Sequence, residues 1–481
     1  MSNGHPIVPV SKPWETLGSI LGFNNADEEF WWKCTAPVLG KFLVKAEYTT
    51  EQQFTYLSWY HRFILPSLGE RPEQGKPRKW RAQVTPGASP FQPSWNLQGN
   101  KSTVRFTVEP IGRNVGSRED VFNQLAAIDL MRKLKTTMPD IQDDWFYHCV
   151  KQLYVPKDVI NMMLLAQGPP QGPKPPTCFV AFDLLKDKIE SKAYFFPHMQ
   201  ARLLAVNQGD LVIQTVRGLN GDGIDMNPSL DAFEEYLNSG GPLTHGQIEM
   251  LAIDNVDKKR ARAKIYVNSF NNTFNKIKDI YTMGGRIKDA AILKSLDALA
   301  DVWKLLFNLP ETGFEDMELP NIMHPRSGFV TGFEFKTGEA LPTTKIYFPM
   351  WHYAKTDQQL TDALSAFFSK QGWNDRAKSY SNDVSEIFME SEMPYSPGTH
   401  QYLSFSAKAK SGLYLTMYYS PTIPHLSTRH VPSPEGEGHP MELLGPPKGP
   451  LPVGFRVMQT IWPALRMVVP GQVGSVLDTL E

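Results

Sequence analysis

Pairs of a cationic residue and a tyrosine, two positions apart, recur along this chain inside strand-like runs. The pairs are Lys192 and Tyr194, Lys264 and Tyr266, Lys345 and Tyr347, and in looser form Lys408 and Tyr418. Because side chains on a β-strand alternate between two faces, both members of a close pair lie on the same face of a sheet. The pairs come roughly every 80 residues and are separated by paired helical segments, so the chain reads as a degenerate repeat.

The repeat predicts an α+β fold in which antiparallel hairpins alternate with pairs of helices. Helices are predicted at about 26–45 and 50–66, 120–137 and 143–152, 199–207 and 228–239, 270–283 and 287–307, and 357–371 and 374–391. Strands are predicted at about 78–84, 94–97 and 103–109, 178–184 and 190–196, 249–254 and 261–268, 329–336 and 344–349, and 401–407 and 412–419. Such an alternation suggests strands that close into a barrel with helices outside. We expect one barrel over residues 12–420 and a Pro- and Gly-rich extension over 421–481.

Composition excludes several classes of protein. The formal net charge of −1 argues against a nucleic-acid partner, so any positive potential must be local. Three scattered cysteines are too few for a disulfide framework or a thiolate metal site. No run of the sequence approaches the roughly 18 apolar residues that a membrane span requires. We therefore expect a cytoplasmic protein that binds neither membrane nor nucleic acid.

The shared face of cations and phenols suggests a site for a charged, reactive ligand. Arg105 adds a fifth cation to the face, within a strand-like run that ends in Glu109. Arginine and lysine hold phosphate oxygens, while aromatic rings stabilise a cation across their faces. Solvated strands also carry Lys and Tyr, but the repetition favours one shared site. The chain has no P-loop and no His-Glu-x-x-His motif, and Asp143-Asp144 lacks the further acidic residue of magnesium-diphosphate sites.

Five short segments of the chain form a recognisable set of motifs: WWKCTAP at 31–37, ILPSLG at 64–69, VRFTVEP at 104–110, RAKIY at 262–266 and TMGGR at 282–286. Together they resemble the fungal aromatic prenyltransferases of the dimethylallyltryptophan synthase type. The similarity keeps its order from about residue 12 to 420. It implies the ααββ (ABBA) barrel of that family, with ten antiparallel strands around a solvent-filled centre. It also implies dimethylallyl diphosphate as donor, an aromatic small-molecule acceptor, no required cofactor or metal, and a monomer or homodimer.

The resemblance also implies roles at matching positions. The diphosphate-binding cations match Arg105, Lys192, Arg262 and Lys264, with Lys345 where tryptophan-using members have Gln and Lys408 where Arg is common. A shield of tyrosines matches Tyr194, Tyr266, Tyr347, Tyr402 and Tyr418. In the implied mechanism the cations neutralise the departing diphosphate. The rings then stabilise the allylic cation and exclude water until the acceptor attacks.

The residues that depart from the family pattern lie in the half of the site that binds the acceptor. Gln92 stands where a glutamate accepts the indole N–H, Phe179 where a lysine assists deprotonation, and Glu249 where an arginine receives the amino-acid carboxylate. These changes argue against free tryptophan and favour a phenolic or polyketide-derived acceptor. Departing diphosphate or Glu109 would take the proton, unless Glu109 forms a structural salt bridge. Val330 replaces a Met beside the distal end of the prenyl chain and predicts room for longer donors.

Two other functions remain open on the sequence alone. One is prenylation of a modified indole such as a tryptophan-containing diketopiperazine. The other is a non-catalytic barrel that binds a phosphorylated or isoprenoid ligand.

Overall fold

Ten antiparallel strands form a closed barrel in the computed structural model, which describes residues 12–168, 174–322, 324, 328–388, 398–408 and 412–426. The strands are β1 (Phe91–Gln98), β2 (Lys101–Val108), β3 (Cys178–Leu184), β4 (Ile189–Phe195), β5 (Gln247–Asp254), β6 (Ala263–Ser269), β7 (Phe329–Phe335), β8 (Thr343–Pro349), β9 (His400–Lys408) and β10 (Gly412–Tyr419). Each strand pairs with its neighbours in sequence, and β1 pairs with β10 to close the ring. The prediction of an α+β barrel is confirmed.

Helices connect the hairpins. They are α1 (Pro13–Ile20), α2 (Ala26–Lys45), α3 (Thr50–Trp59), α4 (Leu125–Thr137), α5 (Asp144–Leu153), α6 (Lys157–Gln167), α7 (His198–Leu204), α8 (Gln208–Arg217), α9 (Asn227–Leu237), α10 (Phe274–Thr282), α11 (Ala290–Lys294), α12 (Leu296–Phe307), α13 (Met350–Tyr353), α14 (Asp357–Lys370) and α15 (Asn374–Phe388). A π-helical turn at Tyr60–Ile64 and a 3₁₀ turn at Leu65–Ser67 extend α3. No helix in the described ranges has the length and apolarity needed to cross a membrane.

The prediction differs from the structure in several elements. The predicted strand at 78–84 is wrong: this segment is irregular, and the backbone N–H of Gln83 donates to the Glu109 carboxylate rather than to a neighbouring strand. The predicted helix at 287–307 is two helices that meet at Ser295. The sequence reading also missed α1, α6 and α8. The predicted extension at 421–481 lies outside the described residues after 426, so that domain boundary stays a prediction.

The core of the protein lies between the barrel and the helices. Outward side chains of the strands are apolar: the Trp95 ring is 5.7 Å from that of Phe42 in α2, and the Phe106 ring is 5.6 Å from that of Tyr60. The alternate side chains point into the lumen. Because the apolar faces are buried against helices, the lumen is free to carry polar and charged side chains.

The two ends of the barrel differ in their connections. Short hairpins join β1 to β2, β3 to β4, β5 to β6 and β7 to β8 at one end, which we call the hairpin end. The longer helical connections run at the opposite end, the helix end. Gly99 has a φ of +59° in the β1–β2 turn, a left-handed conformation that favours glycine. A lumen residue therefore lies near the hairpin end or the helix end according to its position along its strand.

Candidate active site

Six cationic side chains line one cavity towards the hairpin end of the lumen. They are Arg105, Lys192, Arg262, Lys264, Lys345 and Lys408. All six were selected from the sequence, and the structure brings them together. Five of them lie near a hairpin: Lys408 ends β9, and the start of an outgoing strand holds or adjoins Lys192, Arg262, Lys264 and Lys345. Arg105 is the fifth residue of β2.

Three carboxylates that the sequence reading missed lie among these cations. Asp183, at the end of β3, lies 3.1 Å from an Arg105 guanidinium nitrogen and 2.5 Å from the Lys192 ammonium. Burial by itself would raise the pKa of Asp183, but Arg105 and Lys192 outweigh it and hold the pKa below its ordinary value. Asp183 is therefore ionised, and it fixes two of the cations before any ligand arrives.

The next two hairpins repeat this arrangement. The Asp254 carboxylate, at the end of β5, accepts a hydrogen bond from Arg262 Nε at 2.7 Å and pairs with Lys264. Glu334, near the end of β7, accepts from Arg262 at 2.8 Å and lies 3.5 Å from the Lys345 ammonium. Each of the hairpins β3–β4, β5–β6 and β7–β8 thus brings an acid on the incoming strand and a cation on the outgoing one.

The site keeps an excess of positive charge. Six cations face three carboxylates among the described lining and pairing residues. Burial, with Arg262 close by, lowers the pKa of Lys264 to about 8, and burial, with Lys345, lowers that of Lys408 to about 8. Near neutral pH both lysines are largely protonated, so the cavity suits a multiply charged anion.

Four tyrosine rings form a continuous belt beside the cations. Ring centroids are 5.9 Å apart for Tyr194 and Tyr266, 5.7 Å for Tyr266 and Tyr347, and 6.0 Å for Tyr347 and Tyr418. The rings come from the alternate strands β4, β6, β8 and β10. Burial raises the pKa of Tyr418 to about 12 and those of the other three above their ordinary value, so the phenols stay neutral.

Two further tyrosines, Tyr402 and Tyr414, differ from the predicted shield of tyrosines. Tyr402 lies directly opposite Tyr418 in the β9–β10 register, but among the described residues it does not line the cavity that the four rings share. Tyr414 does line it, and its hydroxyl accepts a hydrogen bond from Arg105. The ammonium groups of Lys345 and Lys408 lie 5.0 and 4.2 Å from its ring centre. The strand alternation that selected Tyr418 also covers Tyr414, four residues earlier, and that signal was missed.

Gln92 lies on the lumen face of β1, two residues before Ser94, which lines the cavity. Its amide nitrogen donates to the Val84 carbonyl at 2.9 Å and to the Gln401 side-chain oxygen at 2.6 Å. Since both bonds use the nitrogen, the carbonyl oxygen of Gln92 is left as a hydrogen-bond acceptor.

Glu109 anchors the segment beside Gln92. One carboxylate oxygen accepts from the Trp80 indole N–H at 2.6 Å, and the other from the Gln83 backbone N–H. The side chain is fully buried and does not line the central cavity among the described residues. These contacts hold the chain that supplies the Val84 carbonyl to Gln92.

The other predicted acceptor-pocket residues lie nearer the helix end. The Phe179 ring contacts that of Phe196 at 4.6 Å, and Glu249 sits at a β-bulge in β5 with its carboxylate 3.6 Å from His198 Nε2. Burial lowers the pKa of His198, so this neighbour of Glu249 is neutral. Val330 lies opposite Tyr347 in the β7–β8 register, on the lumen face.

The described residues contain no cluster of His, Cys, Asp or Glu that could hold a metal ion.

The ten-stranded barrel, with paired cations beside neutral aromatic rings in its lumen, fits the aromatic prenyltransferase class that the resemblance implied. Residues 27–383 match the sequence model of the family described as tryptophan dimethylallyltransferase. The chain belongs to this family. It is a transferase that uses dimethylallyl diphosphate as donor and requires no metal, as the resemblance implied.

Known relatives and structures agree with this assignment. A 7-dimethylallyltryptophan synthase from Aspergillus fumigatus is 32% identical, over 81% of this chain and 84% of the relative. The indole diterpene prenyltransferase paxD from Penicillium paxilli is 29% identical, over 88% of this chain and 97% of the relative. The crystal structure of AnaPT from Neosartorya fischeri is similar in fold, with a TM-score of 0.75 and 24% identity over 87% of this chain and 100% of that one.

Replacing one of the buried cations tests the donor site. Lys264→Met keeps the aliphatic stem and removes a charge in a dry cavity, while Arg262 still pairs with Asp254. We expect turnover to fall by about 30- to 1,000-fold, since one lost contact to developing charge costs about 2–4 kcal/mol. The control is Lys133→Met, on the exposed face of α4. Steady-state kinetics with folded protein give the answer, and wild-type activity in Lys264→Met would remove Lys264 from the donor site.

The lowered pKa values of Lys264 and Lys408 predict how activity depends on pH. As pH rises through about 8, Lys264 and Lys408 lose their protons and the cavity loses positive charge. We expect kcat/KM for dimethylallyl diphosphate to fall above pH 8, because this quantity reports the free enzyme's titration. A guanidinium group in place of the Lys408 ammonium would stay charged throughout, so Lys408→Arg should make the fall shallower. An identical pH profile in Lys408→Arg and the wild type would contradict the prediction.

Proposed function

We propose that this enzyme transfers a dimethylallyl group to an indole whose side chain lacks the free carboxylate of tryptophan. The observation that carries the proposal is Gln92, whose amide nitrogen is engaged by Val84 and Gln401. The remaining carbonyl oxygen, on the lumen face, is suited to accept an indole N–H. A neutral amide can hold and orient the ring without taking its proton.

Glu249 and Phe179 support the exclusion of free tryptophan. A carboxylate on the substrate would meet the Glu249 carboxylate, whose neighbour His198 is neutral. Like charges brought together select against a ligand. The ring pair of Phe179 and Phe196 instead offers an apolar surface that suits a bulky, uncharged substituent.

The relatives also favour indole acceptors over phenols. The two relatives named above are described as acting on tryptophan and in indole diterpene prenylation. The modified indole, which the sequence left as an alternative, therefore gains support over the phenolic or polyketide-derived acceptor that it favoured. Because the chain belongs to a family of transferases, we do not retain the alternative of a non-catalytic barrel.

The reaction follows from the order of the charged and aromatic side chains along the lumen. The allylic C–O bond breaks and the electron pair leaves with diphosphate, whose charge the six cations balance. The allylic cation lies against the neutral rings of Tyr194, Tyr266 and Tyr347, which stabilise it and exclude water. An electron-rich atom of the indole attacks, and the departing diphosphate takes the proton that the ring then loses.

A panel of acceptors tests the proposal. With dimethylallyl diphosphate as donor, we expect tryptophan-containing diketopiperazines or apolar 3-substituted indoles to react at least about tenfold faster than free tryptophan, since an unpaired buried charge costs about 1–3 kcal/mol. Glu249→Gln should reduce this difference in rate by increasing the rate with free tryptophan. Product formation on phenols alone, or tryptophan as the best acceptor of the wild type, would reject the proposal.

The amide of Gln92 allows a sharper comparison. Gln92→Leu should reduce kcat/KM by about 10- to 100-fold for an indole with a free N–H, because one buried donor is left unpaired at about 1–3 kcal/mol. It should change little for the matched N-methyl indole, which has no N–H to offer. Gln92→Glu should raise activity towards simple indoles, since a carboxylate stabilises the charge that develops on the ring. Equal losses on both matched substrates would show that Gln92 does not hold the indole nitrogen.

A further inference from the structure

A second cavity lies at the hairpin end, outside the ring of cations. Its volume is about 280 Å³, and it shares Lys192, Arg262 and Lys408 with the central cavity. Arg260 and Lys336 are added to its wall. One water molecule needs about 10–15 Å³ of such space, so a hydrated anion has room. We call this cavity the vestibule.

Three cations of the β5–β6 connection and the start of β6 run from solvent to the buried site. Arg260, Arg262 and Lys264 are two residues apart, and their side chains are 61%, 29% and 4% exposed. Arg260 lies in the hairpin turn, Arg262 directly precedes β6, and Lys264 is the second residue of that strand. The same segment therefore carries positive charge from the surface of the vestibule into the catalytic cavity.

Lys336, directly after β7, adds another cation to the wall of the vestibule. Lys336 stands two residues beyond Glu334, exposed at the rim of the barrel. Of the vestibule's two acidic residues, Glu190 lies 2.8 Å from Lys188 and 3.8 Å from Arg260, and Asp254 is engaged by Arg262 and Lys264. The cations among the described lining residues number five, against these two carboxylates.

We propose that inorganic diphosphate leaves the active site through the vestibule, with Arg260 and Lys336 as anion-binding residues on the route. The proposal rests on the assignment of the six inner cations as the diphosphate site. An anion moving towards the helix end would have to pass the tyrosine belt, where burial without a cationic partner is costly. Through the vestibule the anion passes between neighbouring cations all the way to solvent.

The route is testable with inorganic diphosphate alone. At equilibrium an ion enters and leaves by the same path, so its association rate constant reports the exit route. In the double variant Arg260→Glu/Lys336→Glu the vestibule loses its outer cations and gains two carboxylates. We expect the association rate constant to fall by about tenfold at low ionic strength, because electrostatic steering contributes at least about that factor. The difference should shrink at about 1 M salt, where the screening length is about 3 Å.

A matched control sits at the opposite end. Arg113 and Arg118 are exposed in the connection from β2 to α4, at the helix end, so Arg113→Glu/Arg118→Glu makes the same charge change there. Stopped-flow fluorescence of the full chain, without acceptor, gives both rate constants. A fall confined to the vestibule variant supports the route. Equal rate constants in the two variants, or a larger fall in the control, would overturn it, and so would failure of diphosphate to bind the wild type. Failure to turn over any indole would reject the acceptor proposal alone.

Discussion

Pairing between buried cations and carboxylates at the hairpin turns is the interaction on which the active site depends. A lysine or arginine buried in the lumen without a partner would be costly, and lysine would lose its proton. Asp183, Asp254 and Glu334 offset that cost and hold the cations in place before the donor arrives. Because the carboxylates are fewer than the cations, the site is organised in advance and still attracts an anion. Such preorganised charge stabilises a leaving group without reorganisation during the reaction.

The closed barrel makes this arrangement possible. Its outward faces bury apolar side chains such as Trp95 and Phe106 against the helices, so stability does not require an apolar lumen. The lumen is then divided along its axis. Charges lie towards the hairpin end, neutral rings form the middle, and Gln92 and Glu249 lie on the side of the helical connections. An allylic diphosphate has the same order of parts, from charged head to apolar tail.

The repeated strand periodicity in the sequence predicted the barrel and nine of its cationic and tyrosine side chains, and the family resemblance added Arg262. The periodicity succeeded because lumen residues recur at equivalent places of each hairpin. The same alternation in β10 also covers Tyr414, which was not predicted. The three carboxylates were not predicted, since an acid in a strand such as Asp183 has no local mark that separates a buried ion pair from a solvated side chain. The irregular segment at 78–84 was misread for a similar reason: its backbone bonds to Glu109, a partner distant in sequence. The orientation of the Gln92 amide likewise depends on Gln401, from the far end of the chain.

We infer that the paired cations hold the diphosphate of the donor without a metal ion. Calorimetric titration of the full chain with dimethylallyl thiolodiphosphate, an analogue that resists ionisation, tests this in EDTA and again in excess magnesium. We expect binding in EDTA with an affinity within a few-fold of that in magnesium. Binding that appears only when magnesium is added would show that the cations are not sufficient.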